Sequence, residues 1–348
     1  MRLKLIISKR IAGKIFHWVE ENRILASSGY TLCISEDLGN TFKKVIELDF
    51  PVVMKIASHS RLLSRAFRLG VRTLLKLNSG AILAVASGRV FRICNDKIES
   101  LFVFSKGVGP LRGGLCQDDK GNIYIGEYFM NNEHRYPVNL FKSEDDGKSW
   151  TKILSLKDVR HIHFVQFDPY ERKVWVGTGD NDLESRIIVS EDYGKSWRVI
   201  GCNDQKFRAV SLLFTDEYVY WGTDTPAKQS YIYRYRRRDG KIERLVPVSG
   251  PVYYSAKLDD RILLFSTGAE GKSEGLSAAW DNYAHIWASR DGLEWQDVGR
   301  WEKDGLPYLF GYGRVLFPSG NLRNRLAFTT ECVKDADGTS FIGEVVEE

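Results

Sequence analysis

The stretch SEDDGKSW at 143–150 returns at 190–197 as SEDYGKSW, with Asp146 replaced by Tyr193 as the single difference. One active site needs one set of groups, so two copies of an octapeptide point to a structural repeat. The shared pattern is Ser-x-Asp-x-Gly-x-Ser/Thr-aromatic. It recurs as SEDLGNTF at 35–42, with Ser35, Asp37, Gly39, Thr41 and Phe42. A shortened form, SRDGLEW at 289–295, keeps Ser289, Asp291, Gly292 and Trp295. Each element suits a hairpin turn. Asp accepts backbone N–H bonds, Gly takes positive φ, a hydroxyl closes a local bond, and the aromatic packs back against the body.

Weaker echoes, each a turn between apolar runs, occur at CNDKIESLF (94–102), RRDGKIERL (237–245) and DADGTSF (335–341). Taken together, the turns fall near 37, 96, 145, 192, 239, 291 and 337, a spacing of 46 to 59 residues. Around each turn lie short runs rich in β-branched and aromatic residues. In the fourth unit these are HIHFVQF, KVWVGTG, SRIIVSE and SWRVIG. The pattern predicts an all-β fold: a single β-propeller over 1–348, of four-stranded antiparallel blades. Seven blades are expected, with six as the alternative, and the repeated turn joins the third strand of a blade to the fourth.

The turn motif resembles the Asp-box, the bacterial neuraminidase repeat of sialidases and other carbohydrate-active propellers. The resemblance covers most of the chain. It implies that the repeated aspartates are fold elements placed away from the active face. It also implies that chemistry belongs to the starts of the innermost strands and to the loops between second and third strands.

Composition sets outer limits. With 43% hydrophobic and 27% charged residues, the chain has material for a large core and for a solvated surface. Five cysteines, an odd number without a CxxC pair, are expected to be reduced thiols rather than a disulfide framework or a thiolate metal site. The opening MRLKLIISKRIAG is too short an apolar run for a signal peptide, and no stretch has the length of a membrane span. The expected location is cytoplasmic, or secreted if a leader was removed. A net charge of +5 is compatible with an acidic ligand. The basic, tyrosine-interleaved YRYRRRDGK (233–241) coincides with a predicted strand and turn, so it reads as a solvated edge and not as a nucleic-acid site.

The expected innermost strands begin with a distinctive set of residues: Arg112 in the third unit, His161 and His163 in the fourth, Arg208 in the fifth. Tyr253 and Tyr254 open the sixth, and Tyr312 and Arg314 the seventh; Arg68 and Arg72 stand before the second. His161 and His163 are two apart, so on a strand they share a side. They can share a metal, work as base and orienting group, or fill the interior as a hydrogen-bonded pair. No third ligand has matching spacing, so no metal is assigned to them. Arginines suit a carboxylate, which a guanidinium grips with two bonds. Tyr253 and Tyr254 alternate faces, and one of them can serve as acid or base beside an arginine.

The loop GEYFMNNEHRYP (126–137) brings Glu127, His134 and Arg135; GTGDNDLES (177–185) brings Asp180 and Asp182; GTDTPAKQS (222–230) brings Asp224 and Lys228. STGAEGKSEGLSAAWDNYAH (266–285) brings Glu270 and Asp281. GDND at 179–182 offers oxygen ligands that suit calcium, short of a full ligand loop. The inserted SHSRLLSRAFRLG (58–70) reads as a short helix.

Sialidases carry an Arg-Ile-Pro motif early in the chain; here FRIC (91–94) lacks the proline. The HIH start, with Arg and Tyr around it, looks more like the Asp-box polysaccharide lyases, which act on uronic-acid sugars. That resemblance implies β-elimination on an acidic oligosaccharide or polysaccharide, with His161, His163, Tyr253 and Tyr254 as catalytic groups. Arg112, Arg208, Glu127, Asp224, Tyr312 and Arg314 would bind substrate. Two alternatives stay open. A sialidase-like glycosidase would use paired carboxylates from Glu127, Asp180, Asp224 and Glu270. A propeller can also bind glycan or protein without catalysis.

Overall fold

In the computed structural model, which describes residues 2–225, 228–259, 262–270 and 281–348, the strands form seven sheets, each a four-stranded antiparallel blade; six blades use strands consecutive in the chain, and Ser319–Asn321 adds a short parallel strand to the first. The protein is a seven-bladed β-propeller. Two short α-helices, Val52–Ser58 and Arg61–Phe67, are inserted between the first and second blades and account for the longest repeat spacing. No helix among the described residues is long and apolar enough to cross a membrane.

The chain divides into two compact units. One, Val71–Thr223 with Arg236–Gly240, holds the second, third and fourth blades. The fourth is built from His161–Asp168, Lys173–Gly179, Arg186–Ser190 and Arg198–Cys202. Apolar faces of successive blades pack against one another here. Tyr124, Leu140, Ile162, Val165 and Val176 form one such layer, with Trp197 of the repeated turn against it. Leu83, Val90, Phe104 and Ile123 form another, with Trp150 against Phe102 at 5.7 Å between ring centres.

The other unit, Met1–Gly70, Asp224–Tyr235 and Lys241–Glu348, holds the first, sixth and seventh blades. Its seventh blade runs Arg314–Leu316, Arg325–Glu331, Thr339–Glu347 and then Leu3–Ala12 from the start of the chain. That order corrects one sequence expectation. The 335–341 turn joins the second and third strands of its blade, because the N-terminal strand supplies the fourth. Leu3 pairs with Glu347 and Ala12 with Thr339, which covers an edge that would otherwise expose a row of backbone donors and acceptors. The helix Arg61–Phe67 is capped by the Ser60 hydroxyl and ends at Arg68 in the left-handed conformation. Arg61 anchors it to Asp337 at 2.7 Å, and Arg65 to Asp304.

The four Ser-x-Asp turns join third strands to fourth strands and share one bonding scheme. In three of them the glycine N–H donates to the first serine, as from Gly147 to Ser143 at 2.9 Å. The aspartate accepts from the backbone and hydroxyl of the residue four on, as Asp145 does from Ser149 at 2.8 and 2.6 Å. Leu38, Asp146 and Tyr193 precede these glycines with φ near +60°, so each turn sets two left-handed residues in succession. The fourth copy keeps the serine and glycine, and Asp291 accepts from Leu293 and Glu294 N–H at 2.8 and 2.9 Å.

Candidate functional site

The innermost strand of the fourth blade begins with the two histidines. His161 pairs with Gly179 and Ile162 with Thr178, but Phe164 pairs with Gly177, so His163 is an extra residue in a β-bulge. Bulges re-aim side chains, and they concentrate next to functional sites. The innermost strands of the first, second and sixth blades carry the same device, with His17, Arg72 and Tyr253 as the extra residues. Alternate glycines of the second strand make room for the rings. A Cβ on Gly179 would lie 2.5 Å from His163 Cε1, and one on Gly177 would lie 2.0 Å from the Phe164 ring.

The two rings meet with Nε2 atoms 3.1 Å apart, and both residues are 2% exposed. His163 Nδ1 lies 3.1 Å from the carbonyl of Ala209, and His161 Nδ1 lies 3.4 Å from that of Phe129. Asp180 joins them: its Oδ1 is 3.2 Å from His163 Nε2 and 3.4 Å from His161 Nε2. This is the third metal-capable side chain that spacing alone did not show. The strand register brings Gly179 opposite His161, so the next residue reaches the ring although it lies far along the chain.

Asp180 is held from several sides. Arg208 Nη2 meets Oδ1 at 3.0 Å and Arg160 Nη1 meets Oδ2 at 2.7 Å. Its backbone N–H donates to Glu184, and its carbonyl accepts from Arg208 and Gln205. Burial pushes His161 down, toward its neutral form. Tyr128 stacks on His161 with ring centres 4.1 Å apart, and the Arg72 guanidinium lies 5.8 Å from the Tyr128 ring. Next to this group, a cavity of ≈ 380 Å³ is lined by His134, Asp158, Asn181, Leu183, Glu184, Arg186 and Asn203.

Of the residues singled out from sequence, the structure therefore gathers His161, His163, Arg208 and Asp180. Arg112 sits half-buried in the turn before Leu115–Gln117. Glu127 is buried and its Oε2 accepts from the backbone and side chain of Asn139, both at 2.8 Å. Burial raises its carboxyl. In the other unit, Tyr254 packs into the core with Leu264 and Val315, which leaves Tyr253 as the half-exposed phenol of the pair. Arg314 is paired with Glu331 through two bonds of 2.9 and 2.7 Å, and Tyr312 is 40% exposed, beside Tyr308. Asp224 is buried after the strand Tyr218–Gly222. Glu270 and Asp281 flank residues 271–280, and that part of the 266–285 loop lies outside the described residues, as do 226 and 227 of the 222–230 loop.

Sequence reasoning missed Arg160 and Tyr128. Arg160 directly precedes the histidines, a signal that was in view. Tyr128 comes from the loop of the preceding blade, and no local pattern ties it to His161.

No protein-family profile matches the chain, and no curated protein sequence does. Solved structures do share its fold. An oligogalacturonate lyase in complex with manganese aligns over 100% of this chain and 97% of its own, with a TM-score of 0.64 at 11% identity. The GH74 xyloglucanase of Xanthomonas campestris aligns over 95% of this chain with a TM-score of 0.61 at 16% identity; the chain spans 53% of that enzyme. YCF48 bound to D1 peptide aligns over 99% of this chain and 97% of its own, with a TM-score of 0.58 at 11% identity. At these identities the chain is similar to them in fold, and the fold they share with it is the β-propeller.

Proposed function

We propose that the protein is a carbohydrate-active propeller that acts on an acidic, uronate-containing glycan, as a lyase. The observation that carries this reading is the grouping of Arg160, Arg208 and Arg72 around Tyr128 and the imidazole pair. The Nε of Arg160 is a buried donor without a hydrogen-bond partner among the described residues. Fold likeness to a lyase and to a glycoside hydrolase fits the reading but does not carry it.

In this scheme the guanidiniums of Arg160 and Arg208 bind the uronate carboxylate, and neutralising its charge acidifies the proton at C5. A base removes that proton, the electron pair forms the C4–C5 double bond, and the C4–O bond breaks with the oxygen leaving on the departing sugar, which takes up a proton. Tyr128 is the phenol nearest to the imidazoles and is half-exposed, so it is placed to exchange the proton with substrate. His161 stacks beneath it and holds the phenol in place.

The burial of both imidazoles favours one second reading, a propeller that binds the acidic glycan without cleaving it. Wild type and Arg208→Ala, incubated with a panel of acidic glycans, separate the two. Growth of ultraviolet absorbance from an unsaturated uronate, lost in the variant, supports the lyase. Reducing sugar released without absorbance would turn the reading to a glycosidase. Binding with neither product supports the second reading, and absence of binding across the panel overturns both.

A further inference from the structure

We infer that His161, His163 and Asp180 form a binding site for one divalent first-row transition metal ion, of the zinc and manganese class. The inference starts from proton positions. Each Nδ1 faces a backbone carbonyl, Phe129 for His161 and Ala209 for His163, and a carbonyl oxygen only accepts. Both Nδ1 atoms therefore carry hydrogen, and each neutral ring presents a lone pair at Nε2. Those lone pairs face each other across 3.1 Å, and Asp180 Oδ1 lies 3.2 and 3.4 Å from them. Three acceptors thus converge on one point, which is repulsive unless a cation lies between them.

The spacing fits a metal. Ligand atoms about 2.1 Å from an ion stand roughly 3.0 Å apart in adjacent octahedral positions and roughly 3.4 Å apart in a tetrahedron. Among the described residues, this is the one group of three His, Cys, Asp or Glu residues with ligand atoms mutually within 4.8 Å. Its support resembles that of metal sites in general: both histidines donate their other nitrogen to backbone carbonyls, and the carboxylate is fixed by further hydrogen bonds. Arg160 holds Oδ2, which leaves Oδ1 turned to the imidazoles. Arg208 also touches Oδ1, at 3.0 Å, and a carboxylate oxygen has lone pairs for both a guanidinium and an ion. Two nitrogens and one oxygen favour a transition ion over calcium, the ion that the oxygens of GDND suit, which prefers oxygen alone. The histidines are sealed from solvent, while Asp180 keeps 18% of its side chain exposed, so the open coordination positions face that side.

This assignment stands whether or not the protein acts on a glycan, because it is read by binding and not by turnover. The full chain, stripped with a chelator and dialysed, is titrated with Zn²⁺ and separately with Mn²⁺ by calorimetry, and its metal content after reloading is measured by plasma mass spectrometry. Wild type should take up about one equivalent of at least one of the two ions and melt at a higher temperature when loaded. His163→Ala and Asp180→Asn should each weaken binding by more than about 100-fold, since even outer partners of metal ligands cost 10- to 100-fold. His285→Gln, in the other unit, should bind as wild type does. Should either ligand variant fail to fold, Co²⁺ added to wild type gives a second readout, a visible spectrum that two nitrogen ligands would produce. Stoichiometric binding unaffected by either variant overturns the assignment. So does absence of binding together with imidazole nitrogen shifts showing a proton shared between the two Nε2 atoms, which would make the central cation a proton.

Discussion

Gly179 stands so close to His163 that a side chain of one carbon would lie 2.5 Å from the imidazole Cε1. The ring is buried and held at both nitrogens, so it cannot swing aside without losing the Ala209 and Asp180 contacts. Gly179→Ala should therefore cost about 1–3 kcal/mol of stability, as overpacking does, and should abolish metal uptake. Denaturant unfolding reads the first effect and calorimetry the second. A variant that unfolds like wild type and still binds the ion would show that His163 is not confined as described.

The repeated turns make a pH prediction. Asp37, Asp145 and Asp192 are lowered from 3.8 to about 2, first by the bond from the hydroxyl of Thr41, Ser149 or Ser196 and next by the backbone N–H of the same residue. A lowered folded pKa means stability that is present above the unfolded value and lost as pH falls through the folded one. Wild type should lose stability between about pH 4 and pH 2. The triple variant Asp37→Asn, Asp145→Asn, Asp192→Asn should start lower at neutral pH and change less over that window. Melting temperature followed against pH checks this, and equal slopes for the two proteins would remove these carboxylates from the account.

His285 gives the opposite sign. Burial would lower it, but Asp297 at 2.9 Å and Asp281 at 2.8 Å outweigh burial and raise it above 6.5. The stability this imidazolium contributes is complete below pH 6.5 and lost as pH rises through the raised value. Unfolding midpoints measured across neutral pH should fall for wild type and stay level for His285→Gln. The expectation fails if both curves decline together.

The N-terminal strand carries a fourth prediction. Leu3–Ala12 completes the seventh blade against Thr339–Glu347, and Leu3 is buried in the core shared with Val315 and Val345. Removing residues 2–12 should lower the melting temperature and promote association through the bared edge. Size-exclusion chromatography with light scattering reads the outcome. A monomer of unchanged stability would show that the pairing of the two chain ends is dispensable.

What the sequence determined by itself is local. The Ser-x-Asp-x-Gly turns are built from bonds between residues two to four apart, such as Gly147 to Ser143 and Ser149 to Asp145, so their chemistry is legible in eight letters. Their recurrence, with the apolar runs between them, was enough to count seven blades of four strands. The histidine pair could be placed at a strand start for the same reason, whereas Arg208, expected to open the fifth innermost strand, caps the short 3-10 helix Gln205–Phe207 ahead of Leu212–Phe214. Tertiary structure decided what meets them. Asp180 reaches the histidines because His161 pairs with Gly179, and a register between strands is set by packing on both faces rather than by neighbours in the chain. The bulge at His163, the stacking of Tyr128 from another blade and the closing of the last blade by the first strand all depend on contacts across long separations in sequence. The repeat is a property of turns, which short-range hydrogen bonds specify. The cluster is a property of neighbouring strands and blades, which only the folded chain brings together.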